Sequence, residues 1–103
     1  MATNKIEVYQ HNSQSIGCVV LGIDDVSGYI PYLTVKKKPI DATPVLTNIG
    51  AVADPSGTLL FNLTPSDTSL AALDYVYDIT IEKDGAIYTV VKDTFTILEG
   101  VKY

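Results

Sequence analysis

From Thr58 to Val91 the apolar and polar positions alternate in two long runs, and the rest of the chain is organised around them. Leu59, Phe61 and Leu63 alternate with Thr58, Leu60 and Asn62, a period of two that predicts a strand with one strongly apolar face. Tyr75, Tyr77, Ile79 and Ile81 share one face of a second strand, and Asp78, Thr80 and Glu82 share the other. Asp84-Gly85 then supplies the residue types that a type I′ hairpin turn needs, because both central positions require positive φ. Between the two runs, Thr64-Pro65-Ser66-Asp67 places a hydroxyl at a helix N-cap, a proline at the first helical position and a carboxylate able to answer the cap. That string predicts one short helical turn with Leu70 and Leu73 on one side.

The remaining segments read as strands and turns. Met1 to Lys5 lacks a pattern and is expected to be a flexible arm before a single domain over residues 6–103. Ile6 and Val8 mark a first strand. Ser15 to Ile23 is apolar on both parities, and its β-branched residues and two glycines favour a strand over a helix. Asp24 to Gly28 is a turn. Tyr29 to Lys37 is a third strand with Leu33 and Val35 inward, and its Pro31 belongs at a strand end or edge. Val45 to Val52 is a weaker fourth strand, and Asp54 to Gly57 a turn. Ile87, Val91, Phe95 and Ile97 share one parity of a long last strand, with a bend expected near Lys92-Asp93. The pattern predicts an all-β, immunoglobulin-like antiparallel β-sandwich of about seven strands, with the helical turn between the fifth and sixth. Tyr75 or Tyr77 is placed to act as a corner tyrosine, although the cysteine pair and core tryptophan common in such domains are absent.

Composition narrows the function. A chain of 103 residues suits one domain that folds without staples. Its single cysteine, Cys18, has no intramolecular partner and suits a reducing compartment. The net charge of -5, with seven lysines and no arginine, argues against nucleic acid. No signal-peptide pattern follows Met1, and no apolar run approaches the ~20 residues that span a bilayer. Hydrophobic residues make up 47% of the sequence and the mean hydropathy is +0.21, high enough for a small domain to imply that a partner covers some apolar surface.

Candidate chemistry is sparse. His11 is the only histidine, with Ser13 and Ser15 on the same loop, too local to build a base, an orienting group and an oxyanion site. Asp24 and Asp25 lack the regular oxygen spacing of a calcium loop and read as turn formers. One His and one Cys cannot make a structural zinc site. Lys36-Lys37-Lys38 reads as a charged strand end, and the sequon Asn62-Leu63-Thr64 has no secretion signal to go with it. No catalytic residue, metal or cofactor is expected.

Four strings, in order, carry a family resemblance: Gly28-Tyr29 leading into Leu33-Thr34-Val35-Lys36-Lys37-Lys38, then Phe61 to Thr68, then Tyr75 to Ile79, and last Tyr88 to Leu98. Over about Ile6 to Val101 the chain resembles the immunoglobulin-like N-terminal domain of tailed-phage upper baseplate and fibre-type virion proteins. The resemblance implies a non-enzymatic structural protein of the virion, such as a capsid decoration or a fibre or baseplate adaptor. It would be made in the bacterial host cytoplasm and would dock on other virion proteins and further copies of itself, with no role for nucleic acid or membrane. A carbohydrate- or receptor-binding module on the same sandwich is the alternative, with Tyr32 or Tyr103 stacking on sugars. Alternation sends Tyr32, Leu60, Val76, Tyr88 and Val90 outward, and these five are the expected protein interface.

Overall fold

The computed structural model describes residues 4–20, 22–23 and 25–100, and alternation sets the burial of most strands in it. Among the described residues eight strands form: β1 (Ile6–Tyr9), β2 (Gln14–Val19), β3 (Ile30–Lys36), β4 (Leu46–Ile49), β5 (Ala51–Asp54), β6 (Thr58–Leu63), β7 (Asp74–Lys83) and β8 (Ala86–Leu98). They make a five-stranded sheet in the order β1-β8-β7-β3-β4 and a three-stranded sheet in the order β2-β6-β5. Every pairing is antiparallel except that of β1 with β8. The two sheets form the all-β, immunoglobulin-like sandwich that the alternation predicts.

The core lies where that pattern puts it. Leu59, Phe61 and Leu63 of β6 face Leu33 and Val35 of β3 and Tyr75, Tyr77, Ile79 and Ile81 of β7, all buried. Tyr77 meets Phe95 edge to face, with ring centroids 6.3 Å apart. The Tyr75 hydroxyl donates to Ala71 O, so Tyr75 rather than Tyr77 is the corner tyrosine. Asp84 and Gly85 both have positive φ, as the hairpin turn demands. Pro31 sits beyond the residues of β3 that pair with β4, so its missing N–H breaks no ladder.

Four expectations change. The predicted fourth strand is two strands, which raises the total from seven to eight, because Gly50 steps the chain from one sheet to the other. A Cβ at Gly50 would lie 2.6 Å from both Leu60 O and the Phe61 ring, so only glycine allows the crossing. The helical turn does not form a helix. Its cap is present, with Thr64 N–H donating to Asp67 Oδ2 at 2.9 Å and Asp67 N–H to Thr64 Oγ1 at 3.2 Å. The segment nevertheless ends as a hydrogen-bonded turn, since the Thr68 hydroxyl is drawn to Asn12 O at 2.8 Å and buries that residue against the loop after β1. The last strand has no bend at Lys92-Asp93; it carries a bulge instead. Ile79 pairs with Val91 and Thr80 with Thr89, leaving Val90 as an extra residue. Finally, the end of the expected flexible arm is tied down: Asn4 N–H donates to Asp93 Oδ2 at 2.9 Å and Asn4 O accepts the Tyr77 hydroxyl. Residues 1–3 and 101–103 lie outside the described residues.

Candidate docking surfaces

The bulge at Val90 decides what β8 shows to its surroundings. On its far side Val91, Phe95 and Ile97 face the core, as expected. On the near side every side chain changes face, because one extra residue reverses the alternation. Ile87 therefore pairs with Glu82 on the outer face and is 62% exposed, whereas Tyr88 pairs with the fully buried Ile81 and lies on the inner parity. Tyr88 is still 49% exposed, because the three-stranded sheet does not extend over it.

What it faces is a cleft of about 740 Å³ along the open side of the sandwich. One wall is β2 and the residues after it, through Ile16, Val20 and Ile23; the other is β8, through Tyr88, Val90 and Val91. Tyr77 and Ile79 lie deepest, and Asn4 to Ile6 close one end. Tyr29 stands beside Tyr88 with ring centroids 6.3 Å apart, and Lys83 Nζ sits 5.4 Å from the Tyr29 centroid. Desolvation, with the Asp93 carboxylate and Cys18 nearby, pushes the Tyr77 phenol up to about 12. Burial also raises the Cys18 thiol, which keeps it protonated and a poor nucleophile.

The five residues expected as one interface lie on three surfaces. Tyr32 and Val76 are half-buried on the outer face of the five-stranded sheet. Leu60, 37% exposed, is on the outer face of the other sheet between Gly17 and Ala51. Tyr88 and Val90 line the cleft. A single patch made of all five does not exist. In its place Ile30, Ile49 and Ile87 lie at one end of the five-stranded outer face, spread over β3, β4 and β8. Ile49 pairs with Tyr32, and Ile30 and Ile87 flank Glu82. The three isoleucines are 48%, 65% and 62% exposed. Ile30 and Ile49 hold outward parities that the sequence shows directly; Ile87 needed knowledge of the bulge.

The chemical candidates stay apart. His11 Nδ1 lies 2.9 Å from Ser69 Oγ, a serine from a different loop than the two the sequence offers. That hydroxyl donates to Pro65 O at 2.7 Å, so its proton is not directed at the imidazole, and the pair is not arranged as a nucleophile with its base. Asp25 accepts from the Ser27 hydroxyl at 2.6 Å and from its N–H at 2.9 Å, the behaviour of a turn former, and these bonds lower its carboxyl. Asp24 lies outside the described residues. Among the described residues no three His, Cys, Asp or Glu side chains are grouped to hold a metal, and no helix is long and apolar enough to cross a membrane.

The fold and these surfaces define an immunoglobulin-like sandwich module. No family model and no curated protein matches the chain. Its fold is similar to part of a “putative glycoside hydrolase” from Bacteroides vulgatus, with a TM-score of 0.57 and 13% identity. The likeness covers 94% of this chain but only 17% of that one, and at such identity it is a likeness of fold alone. Murine CRIg is a second structural neighbour, at 14% identity over 95% of this chain and 93% of that one, with a TM-score of 0.40.

Proposed function

We propose that the chain is a non-enzymatic docking protein of a tailed-phage virion, a capsid decoration or a fibre or baseplate adaptor. The observation that carries docking is the exposure of Ile30, Ile49 and Ile87 at one end of the five-stranded outer face, where none of them belongs to the core. The virion reading rests on the resemblance of the four strings, which occupy β3, β6, β7 and β8; three of these strands are neighbours in the five-stranded sheet. Against an enzyme stands the His11–Ser69 pair, whose hydroxyl proton goes to a main-chain carbonyl.

Purified particles of the phage that encodes the chain test this. Mass spectrometry should find it at a fixed copy number, and its absence would overturn the virion reading. Ile49→Lys and Ile87→Lys change outward side chains, which typically moves stability by only ~0.5 kcal/mol, so both should fold by circular dichroism yet be lost from particles. Normal incorporation of both would overturn this face as the docking surface.

A further inference from the structure

We infer that the cleft between β2 and β8 is an acceptor groove for an extended strand of another polypeptide, which pairs with the free edge of β2 and fills the cleft with its alternate side chains. Val20 N–H donates to Gly57 O at 2.7 Å, so the alternation of the antiparallel ladder turns the main-chain groups of Ile16 and Cys18 toward β6 and those of Ser15, Gly17 and Val19 away from it. No strand pairs with that edge among the described residues. Exposed edges in native sheets are normally kept short or blunted by charge, proline or a bulge. The other edges here are blunted: β1 and β4 have four residues each, β5 has four with a bulge, and β8 beyond its pairing with β1 carries the Val90 bulge, Lys92 and Asp93. The six residues of β2, Gln-Ser-Ile-Gly-Cys-Val, contain none of these devices.

The geometry selects the occupant. A row of outward N–H and C=O groups with no strand beside it, where Ser15 O meets only the Gln14 side-chain amide and Val19 O only the Cys18 thiol, matches an extended peptide next to an apolar cleft, whose main chain bonds the edge while every second side chain points into the gap. Lys5 is the one charged residue in the lining, and its exposed ion pair with Glu7 is long at 3.9 Å and worth little, so the segment is apolar at alternate positions, with an acidic residue at the end that reaches Lys5.

The test needs only the isolated chain, so it can fail or succeed independently of the virion reading. The probe is a synthetic peptide of about eight residues, enough to span β2, alternating threonine and valine with a glutamate at each end. In amide hydrogen exchange followed by NMR, saturating peptide should slow Ser15, Gly17 and Val19 by about tenfold or more. The same peptide with alternate amides N-methylated should not bind. Gly17→Pro removes an outward N–H, and a Cβ at Gly17 meets nothing within 4 Å, so this variant should fold and bind at least about tenfold more weakly. Tyr88→Glu, at an exposed position, should weaken the acidic-ended probe in the same way and serves if the proline variant unfolds. The inference is overturned by absence of binding, by protection confined to β8, by equal binding of the N-methylated peptide, or by parent-like binding in whichever of the two variants folds.

Discussion

The Tyr75 hydroxyl donates to the Ala71 carbonyl at 2.8 Å, pinning the loop before β7 to the strand that follows it. Tyr75 is buried, whereas Ala71 is exposed and can be rehydrated when the bond is lost. Tyr75→Phe should therefore cost about 0.5–1.5 kcal/mol, the net worth of one hydrogen bond, and leave the fold intact. Urea unfolding measures the loss; a cost near zero would mean the corner does not hold the loop.

Gly50→Ala should be far more damaging than its single added methyl suggests. The new Cβ would sit 2.6 Å from Leu60 O, which is main chain and cannot swing aside, and 2.6 Å from the Phe61 ring. Overpacking of this kind costs about 1–3 kcal/mol. Phe61→Ala, which empties a fully buried site, should cost ~3–5 kcal/mol of the ~5–10 expected for the whole domain. The double variant should be less than additive, since removing the ring relieves half of the clash.

Stability should fall as pH rises from about 10 toward about 12. Tyr77 keeps its proton in the folded state over that window, and the unfolded chain releases it near pH 10, so the unfolded state binds fewer protons and alkali favours it. Burial raises Tyr75 in the same direction. Tyr77→Phe should flatten the alkaline slope. Phenolate absorbance should show one of the seven tyrosines ionising well after the exposed ones.

The acid limb has the opposite sign. Asp25 is held low by the Ser27 hydroxyl and then the Ser27 N–H, and Asp54 by the Ser56 N–H and then its hydroxyl. Their contribution is complete above the unfolded carboxylate value near 3.9 and is lost as pH falls through the folded values. Chemical unfolding between pH 5 and 2 should show Asp25→Asn and Asp54→Asn each reducing the acid dependence; both are fully exposed, so each effect should be small.

Alternation made the sandwich legible because burial in a strand is dictated residue by residue: the inward parity of β6 and β7 matches the structure without exception from Leu59 to Leu63 and from Tyr75 to Ile81. Events that cost a single residue were harder to see. Gly50 reads as an ordinary weak strand residue until Phe61 is placed beside it, and Val90 carries no turn chemistry to announce a bulge. That one extra residue exchanged the faces of Ile87 and Tyr88 and so moved the apolar surface of β8 away from where simple parity drew it. The cleft was illegible for a related reason, since it depends on which strand edges are left unpaired, and edges are a property of the assembled sheets.

The parallel pairing of β1 and β8, Ile6 with Phe95 through Tyr9 with Leu98, also fixes how the domain bears load. A pull applied through the two ends of the chain draws β1 and β8 past each other along their length. All the rungs of that ladder are then strained together in shear, rather than opened one after another as in a hairpin peeled from its tip. Separating the start of β1 from the end of β8 therefore requires those rungs to break together.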